Sequence, residues 1–279
     1  MKNELFQNIN LHSDGIWGEV NNYGDQKDEK LLRQSVANKK YNNYLLEISK
    51  HHSISVMDKE VNEFISKIDK NGIILDLGGC WGWHWRNITN VRPDLTIVIV
   101  DLIRDNLIHA KTILKNKISN GNIFLVHGNA CSLKFKANCF DGVWSVQTTQ
   151  HIPNYDKVCS EVYRVLKDKG IFSDYGLNNA LIVRIIYNLF GKKYHLDGKI
   201  LDKFYLRRVN NDVFNILKKV FKNNISIRYT ELLFTPDIGL SLGGKEKSFI
   251  GKIDSYISGK GWIRKLIARQ CSTHATKND

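Results

Sequence analysis

Between residues 70 and 176 short apolar runs alternate with segments of helical spacing, and this alternation limits the fold more than any other feature of the chain. The runs are Ile73–Leu75, then 96–100 (TIVIV), 122–126 (NIFLV), 140–146 (FDGVWSV) and 170–175 (GIFSDY). Before the first lies 57–69, with Met57, Val61, Phe64, Ile65 and Ile68 on one helical face. Between later runs lie 105–117, with Leu107, Ala110, Ile113 and Leu114 aligned, and 156–166. One helix per strand interval is what a parallel crossover needs, and runs as apolar as TIVIV are buried on both faces of a sheet. After residue 175 the pattern loosens. A helix is expected at 211–221, an alternating strand at 225–234 and a last strand at 270–276, while residues 1–55 give no clean strand signal.

Several classes are excluded by what the chain lacks. No run approaches the roughly 18 apolar residues that span a bilayer. The start, MKNELFQNIN, has no apolar core or cleavage site of a leader. Five scattered cysteines with no C-x-x-C pair argue against a disulfide framework or zinc site, and nine dispersed histidines show no ligand spacing. A cytoplasmic protein without a metal is therefore expected. The net charge of +13 is uneven: residues 175–279 hold 19 Lys and Arg against 8 Asp and Glu. That excess suits an acidic partner such as nucleic acid or an anionic membrane surface, or it is a solvated face.

The chemistry concentrates in Leu75-Asp76-Leu77-Gly78-Gly79-Cys80-Trp81-Gly82, set between a buried strand and a helix. Glycines there allow a sharp turn and close approach of backbone to a ligand. Asp101 closes the next strand, where a carboxylate can hold ribose hydroxyls. The glycines at 78, 79 and 82 do not follow the G-x-G-x-x-G spacing of nicotinamide-dinucleotide sites.

Further on come His127-Gly128-Asn129-Ala130, Phe140-Asp141-Gly142-Val143-Trp144-Ser145, Gln150-His151-Ile152-Pro153 and Glu161-Val162-Tyr163-Arg164-Val165-Leu166-Lys167. In order and spacing, residues 58–176 resemble the class I, Rossmann-like S-adenosylmethionine-dependent methyltransferases, and within them the broad group that includes the quinone C-methyltransferases. The resemblance implies S-adenosyl-L-methionine as cofactor. It places Asp76, Gly78, Gly79 and Gly82 at the methionine end and Asp101 with Leu102 at the ribose. Asn129 and Ala130 fall beside the adenine, and Gln147 near the donor methyl. Two departures stand out. Cys80 replaces the usual middle glycine, and Trp81, Trp83 and Trp85 stand where small or aliphatic residues are common; Trp81 is read as lining the site and the others as packing. His151 is the candidate base, with a plain helix-start histidine as the alternative. His51, His52, Tyr41 and Tyr44 are candidate acceptor-pocket residues in an N-terminal lid.

The fold implied is a doubly wound, mostly parallel seven-stranded sheet with a C-terminal antiparallel hairpin from about 224–234 and 270–276. Three parts are expected: an N-terminal lid at 1–56, a cofactor-binding core at 57–178, and a basic part at 179–279 that completes the sheet. A helical insert at about 240–268 should cover one edge of the acceptor pocket. The apolar stretch 180–190 reads as core packing, a lid helix or a membrane-touching surface. Ser145-Val146-Gln147-Thr148 is not the Asn/Asp-Pro-Pro-Tyr of DNA amino-methylation, and no Pro-Cys dipeptide serves cytosine chemistry. Methyl transfer to a small-molecule, lipid or glycan-precursor acceptor is the expected function. An RNA methyltransferase using the basic third, and a non-catalytic cofactor-binding regulator, are the alternatives.

Overall fold

The computed structural model describes residues 5–21, 23–37, 43–200, 204–236 and 239–278; Tyr41 lies outside them. Twelve strands lie among the described residues: β1 (Ile16–Trp17), β2 (Ile73–Leu77), β3 (Thr96–Asp101), β4 (Ile123–His127), β5 (Phe140–Val146), β6 (Leu166–Leu177), β7 (Asp197–Ile200), β8 (Phe204–Arg207), β9 (Ile225–Thr230), β10 (Phe234–Thr235), β11 (Leu240–Ser241) and β12 (Gln270–Thr276). Eight form one sheet in the order β1-β4-β3-β2-β5-β6-β12-β9, while β7 pairs with β8 and β10 with β11. Neighbours from β1 to β6 are parallel, and β12 lies antiparallel to both β6 and β9. The expected hairpin is thus present. The eighth strand, β1, escaped the sequence because two residues carry no periodicity.

Both faces of the sheet are covered, and alternate residues along a strand serve opposite faces. Leu75, Val98 and Val143 enter one apolar cluster with the helix Tyr155–Val165, whereas Ile74, Ile97 and Trp144 enter another with the helix Ile54–Ile65. That second helix begins three residues earlier than its spacing suggested. The segment expected as one helix at 105–117 is two, Arg104–Ile113 and Lys115–Ser119, broken at Leu114, whose side chain is buried in the core.

The helix Leu181–Leu189 overturns the core-packing expectation: Val183 is its one buried residue, and Leu189 is 79% exposed. Residues 240–268 hold helices at Phe249–Ile257 and Trp262–Ile267, which pack on the helices Ile54–Ile65 and Leu181–Leu189 respectively.

Candidate active site

The turn after β2 is built on positive φ. Gly78 (φ +70°) has no room for a side chain, since a Cβ there would stand 2.1 Å from Thr148 Cγ2. A Cβ on Gly82 (φ +65°) would stand 2.6 Å from Leu114 Cδ1. Cys80 adopts φ +51° without being glycine. Its backbone N–H donates to Asp101 Oδ2 at 2.9 Å, which ties the turn to the end of β3 and offsets a strain of about 1–2 kcal/mol. Burial, and then the nearby Asp101, push the Cys80 thiol far above its ordinary range, so it stays protonated.

Asp76 supports this turn from beneath. It is 1% exposed and accepts a 2.7 Å hydrogen bond from Trp85 Nε1. Burial drives its carboxyl up to about 7 against that stabilising bond. Asp76, Gly79 and Gly82 shape the turn and are not among the residues that line the cavity beside it.

That cavity, of about 440 Å³, opens at the carboxyl ends of β2, β3 and β5, where the chain changes direction across the sheet. Its floor is Gly78, Cys80, Trp81, Asp101, Leu102, Ala130 and Gln147. Asp101 accepts from the backbone of Cys80 and of Ile103 and from Asn106 Nδ2, which fixes its carboxylate; burial nevertheless raises its pKa. Gln147 sits at φ +50°, and its buried Nε2 has no partner among the described residues. An unspent amide donor at a cavity wall fits a bound acceptor group. Asn129 borders an adjoining cavity of about 390 Å³ that shares Val100 and Gly128 with the first, and its Oδ1 accepts from Cys131 N and Gln26 Nε2.

The opposite wall is polar. The helix Lys27–Ala37 contributes Glu29 and Arg33, one turn apart, and Arg33 Nε donates to Glu29 Oε1 at 2.6 Å. Glu29 Oε2 is buried without a partner among the described residues. His151 stands beside them with its tautomer set by contacts. Nδ1 donates to the Tyr205 carbonyl at 2.9 Å, leaving Nε2 to accept from Arg33 at 3.0 Å and Gln150 at 3.2 Å. Burial, then the Arg33 charge, lower its pKa to about 3. A neutral imidazole whose lone pair already meets two donors is a poor base in this arrangement.

His51 and His52 line the same cavity, and burial lowers the His52 pKa to about 3. Tyr44 does not reach the cavity; it packs half-buried on the core cluster beneath the Ile54–Ile65 helix. The insert 240–268 contributes nothing to the lining either. It braces the segment before the Ile54–Ile65 helix: Gly244 O accepts from Ile54 N, Gly243 O accepts from Ser53 Oγ, and Glu246 pairs with Arg86. From the basic third only Arg269 lines the cavity, held by Glu231 at 2.6 Å. Glu29, Arg33, Gln26 and Arg269 were not singled out from the sequence. The Glu29–Arg33 spacing of four residues was the one available signal.

The strand order and glycine turn are those of a Rossmann-like domain, and residues 75–173 match the family model described as "Methyltransferase domain". The sterol 24-C-methyltransferase of Kluyveromyces lactis is 29% identical over 108 residues, 39% of this chain and 29% of the relative. The ubiquinone/menaquinone biosynthesis C-methyltransferase of Blochmanniella pennsylvanica is 26% identical over 147 residues, covering 52% of this chain and 57% of the relative. The matches thus span less than two thirds of these relatives' length. Among solved structures, a phosphoethanolamine N-methyltransferase of Haemonchus contortus, in complex with phosphomonomethylethanolamine and S-adenosylhomocysteine, superposes with a TM-score of 0.52 at 20% identity. It covers 80% of this chain and 53% of that one, a likeness of fold.

Proposed function

We propose that this chain is an S-adenosylmethionine-dependent methyltransferase acting on a small-molecule or lipid acceptor. The observation that carries this reading is one cavity whose floor is the glycine turn with Asp101 and Gln147, and whose far wall holds a buried, half-satisfied carboxylate, Glu29. When bound, the cofactor supplies a sulfonium-activated methyl group. Asp101 holds the ribose hydroxyls, Gln147 Nε2 donates to an acceptor atom at the methyl end, and the Gly78–Cys80 backbone admits the chain of the methionine part. Glu29, oriented by Arg33, receives the proton that an acceptor hydroxyl, amine or activated carbon sheds as its bond to the methyl carbon forms. His151, fixed by Tyr205 and Gln150, positions Arg33. Sterol- and quinone-modifying relatives support a compact, partly apolar acceptor.

The test is calorimetry with S-adenosylmethionine and S-adenosylhomocysteine, followed by turnover with candidate acceptors. Both ligands should bind the wild type, and Asp101→Ala should weaken them roughly ten- to hundred-fold, the effect of about 1.5–3 kcal/mol of charge-assisted hydrogen bonding. Glu29→Gln should keep cofactor affinity and lose turnover. A folded wild type that binds neither ligand overturns the reading.

A further inference from the structure

The helix Leu181–Leu189 exposes Leu181, Ile182, Ile185 and Leu189, residues at i, i+1, i+4 and i+8 that form one continuous stripe, followed at once by exposed Phe190. Such a stripe ordinarily faces a core. Here its neighbour is the short helix Trp262–Ile267, which exposes Trp262 (73%) and Ile263 (56%) itself. The two helices are held together from beneath, where Asn178 Nδ2 donates to the carbonyls of Lys265 and Ala268, each at 2.8 Å. The result is a fixed apolar surface built from two elements, larger than scattered exposed residues account for.

The two segments that carry it are charged with one sign. No acidic residue lies between Asp174 and Asp197, or between Asp254 and Asp279. Within those two segments Arg184, Lys192, Lys193, Lys260 and Lys265 are exposed. The geometry points to a membrane-docking face: Ile182, Ile185, Leu189, Phe190, Trp262 and Ile263 enter the headgroup boundary of an anionic bilayer while the flanking lysines and arginines meet its phosphates. Two other occupants fit less well. A second copy in an isologous contact would bring one cationic rim against another. A nucleic acid would engage the rim but leave the apolar centre without gain. Trp262 suits this boundary, since an indole places an apolar body and a polar N–H at headgroup depth. The inference stands apart from the acceptor assignment, because no residue of the patch lines the cavity.

Flotation of the full chain with vesicles tests it. Vesicles of phosphatidylcholine with about 30 mol% phosphatidylglycerol should carry the protein, and pure phosphatidylcholine should carry at least about ten-fold less, because the cationic rim then has no partner. Ile185→Glu combined with Trp262→Glu should cut partitioning onto the anionic vesicles by about ten-fold or more, as should Lys192→Glu with Lys193→Glu. All four positions are exposed, and unchanged far-ultraviolet dichroism and S-adenosylhomocysteine affinity certify folding. Three outcomes overturn the proposal: no flotation of the wild type at low salt; equal flotation of the Ile185/Trp262 variant; or a wild-type dimer in sedimentation that this variant converts to monomer with no vesicle binding. A variant that keeps its fold, floats poorly and remains of unchanged oligomeric state supports it.

Discussion

Glu231→Gln perturbs a point where three parts of the chain meet. Glu231 is 0% and Arg269 is 6% exposed; Arg269 Nη1 donates to Glu231 Oε2 at 2.6 Å, and Ser53 N donates to Oε1 at 2.9 Å. The glutamine carbonyl can serve only one of these donors. The guanidinium is then left buried without its counter-charge, at a cost of about 3–5 kcal/mol, the usual penalty for breaking a buried pair on one side. At roughly 2–4 °C per kcal/mol for a domain of this size, the midpoint of thermal unfolding should fall by about 6–20 °C. The double change Glu231→Met with Arg269→Met removes both charges, leaving chiefly the orphaned Ser53 N–H at about 1–3 kcal/mol. In a cycle with Glu231→Met and Arg269→Met as the singles, each leaves one buried charge unpaired, so the double variant should be less unstable than their sum by at least about 3 kcal/mol when read by urea unfolding. The pair also has a pH signature. Burial raises the Glu231 pKa despite Arg269, so the folded state holds its proton more tightly than the unfolded chain. This group's contribution is complete below its unfolded pKa and declines as pH rises through the folded value, and Glu231→Gln abolishes that decline. A loss under about 1 kcal/mol in the single variant, or a double variant as unstable as the sum of the singles, refutes the reasoning.

Asp76 gives a pH effect of the same sign. Its carboxyl moves from 3.8 to about 7, so up to about 4 kcal/mol of stability present at low pH is lost as pH rises through 7. Asp76→Asn, which can still accept from Trp85, should flatten the stability profile between pH 4 and 8; an unchanged slope counts against Asp76 as its source. Gly78→Ala should abolish S-adenosylhomocysteine binding in calorimetry, because its Cβ meets Thr148 at 2.1 Å and its φ of +70° strains any side chain; wild-type affinity would show that the turn can move aside. Cys80 should resist iodoacetamide at pH 8 in peptide-resolved mass spectrometry, because burial and Asp101 keep its thiol protonated. Rapid labelling would contradict that environment.

The parallel core was legible because each of its strands is buried on both sides: TIVIV carries its own assignment, and the helix Asn211–Phe221 and strand β12 fall on their expected residues. The glycine turn was legible as well, though not the division of labour within it. Spacing puts Asp76, Gly79 and Cys80 in one motif, and only the folded chain shows Asp76 turned inward to Trp85 while Cys80 faces the cavity. Asn129 illustrates the same limit from the other side, because its Oδ1 accepts from Gln26, a partner 103 residues away.

The acceptor wall was hidden for a related reason. Its residues come from a segment with little periodicity, and what makes them a site is convergence. Glu29 and Arg33 read as an ordinary exposed helix pair until His151 arrives beneath them from the end of β5. A four-residue charge pair on a helix is worth only about 0.3–0.5 kcal/mol. The same pair at a cavity wall, with Glu29 Oε2 buried and unspent, is a different chemical object. The insert at 240–268 shows how charge misleads in the same way. Its lysines drew it toward an acceptor role, yet its backbone carbonyls brace Ser53 and Ile54 and so hold His51 and His52 at the cavity. Among the described residues the basic third thus reaches the site through the segment at 53–54 that it braces and through Arg269 in the cavity wall.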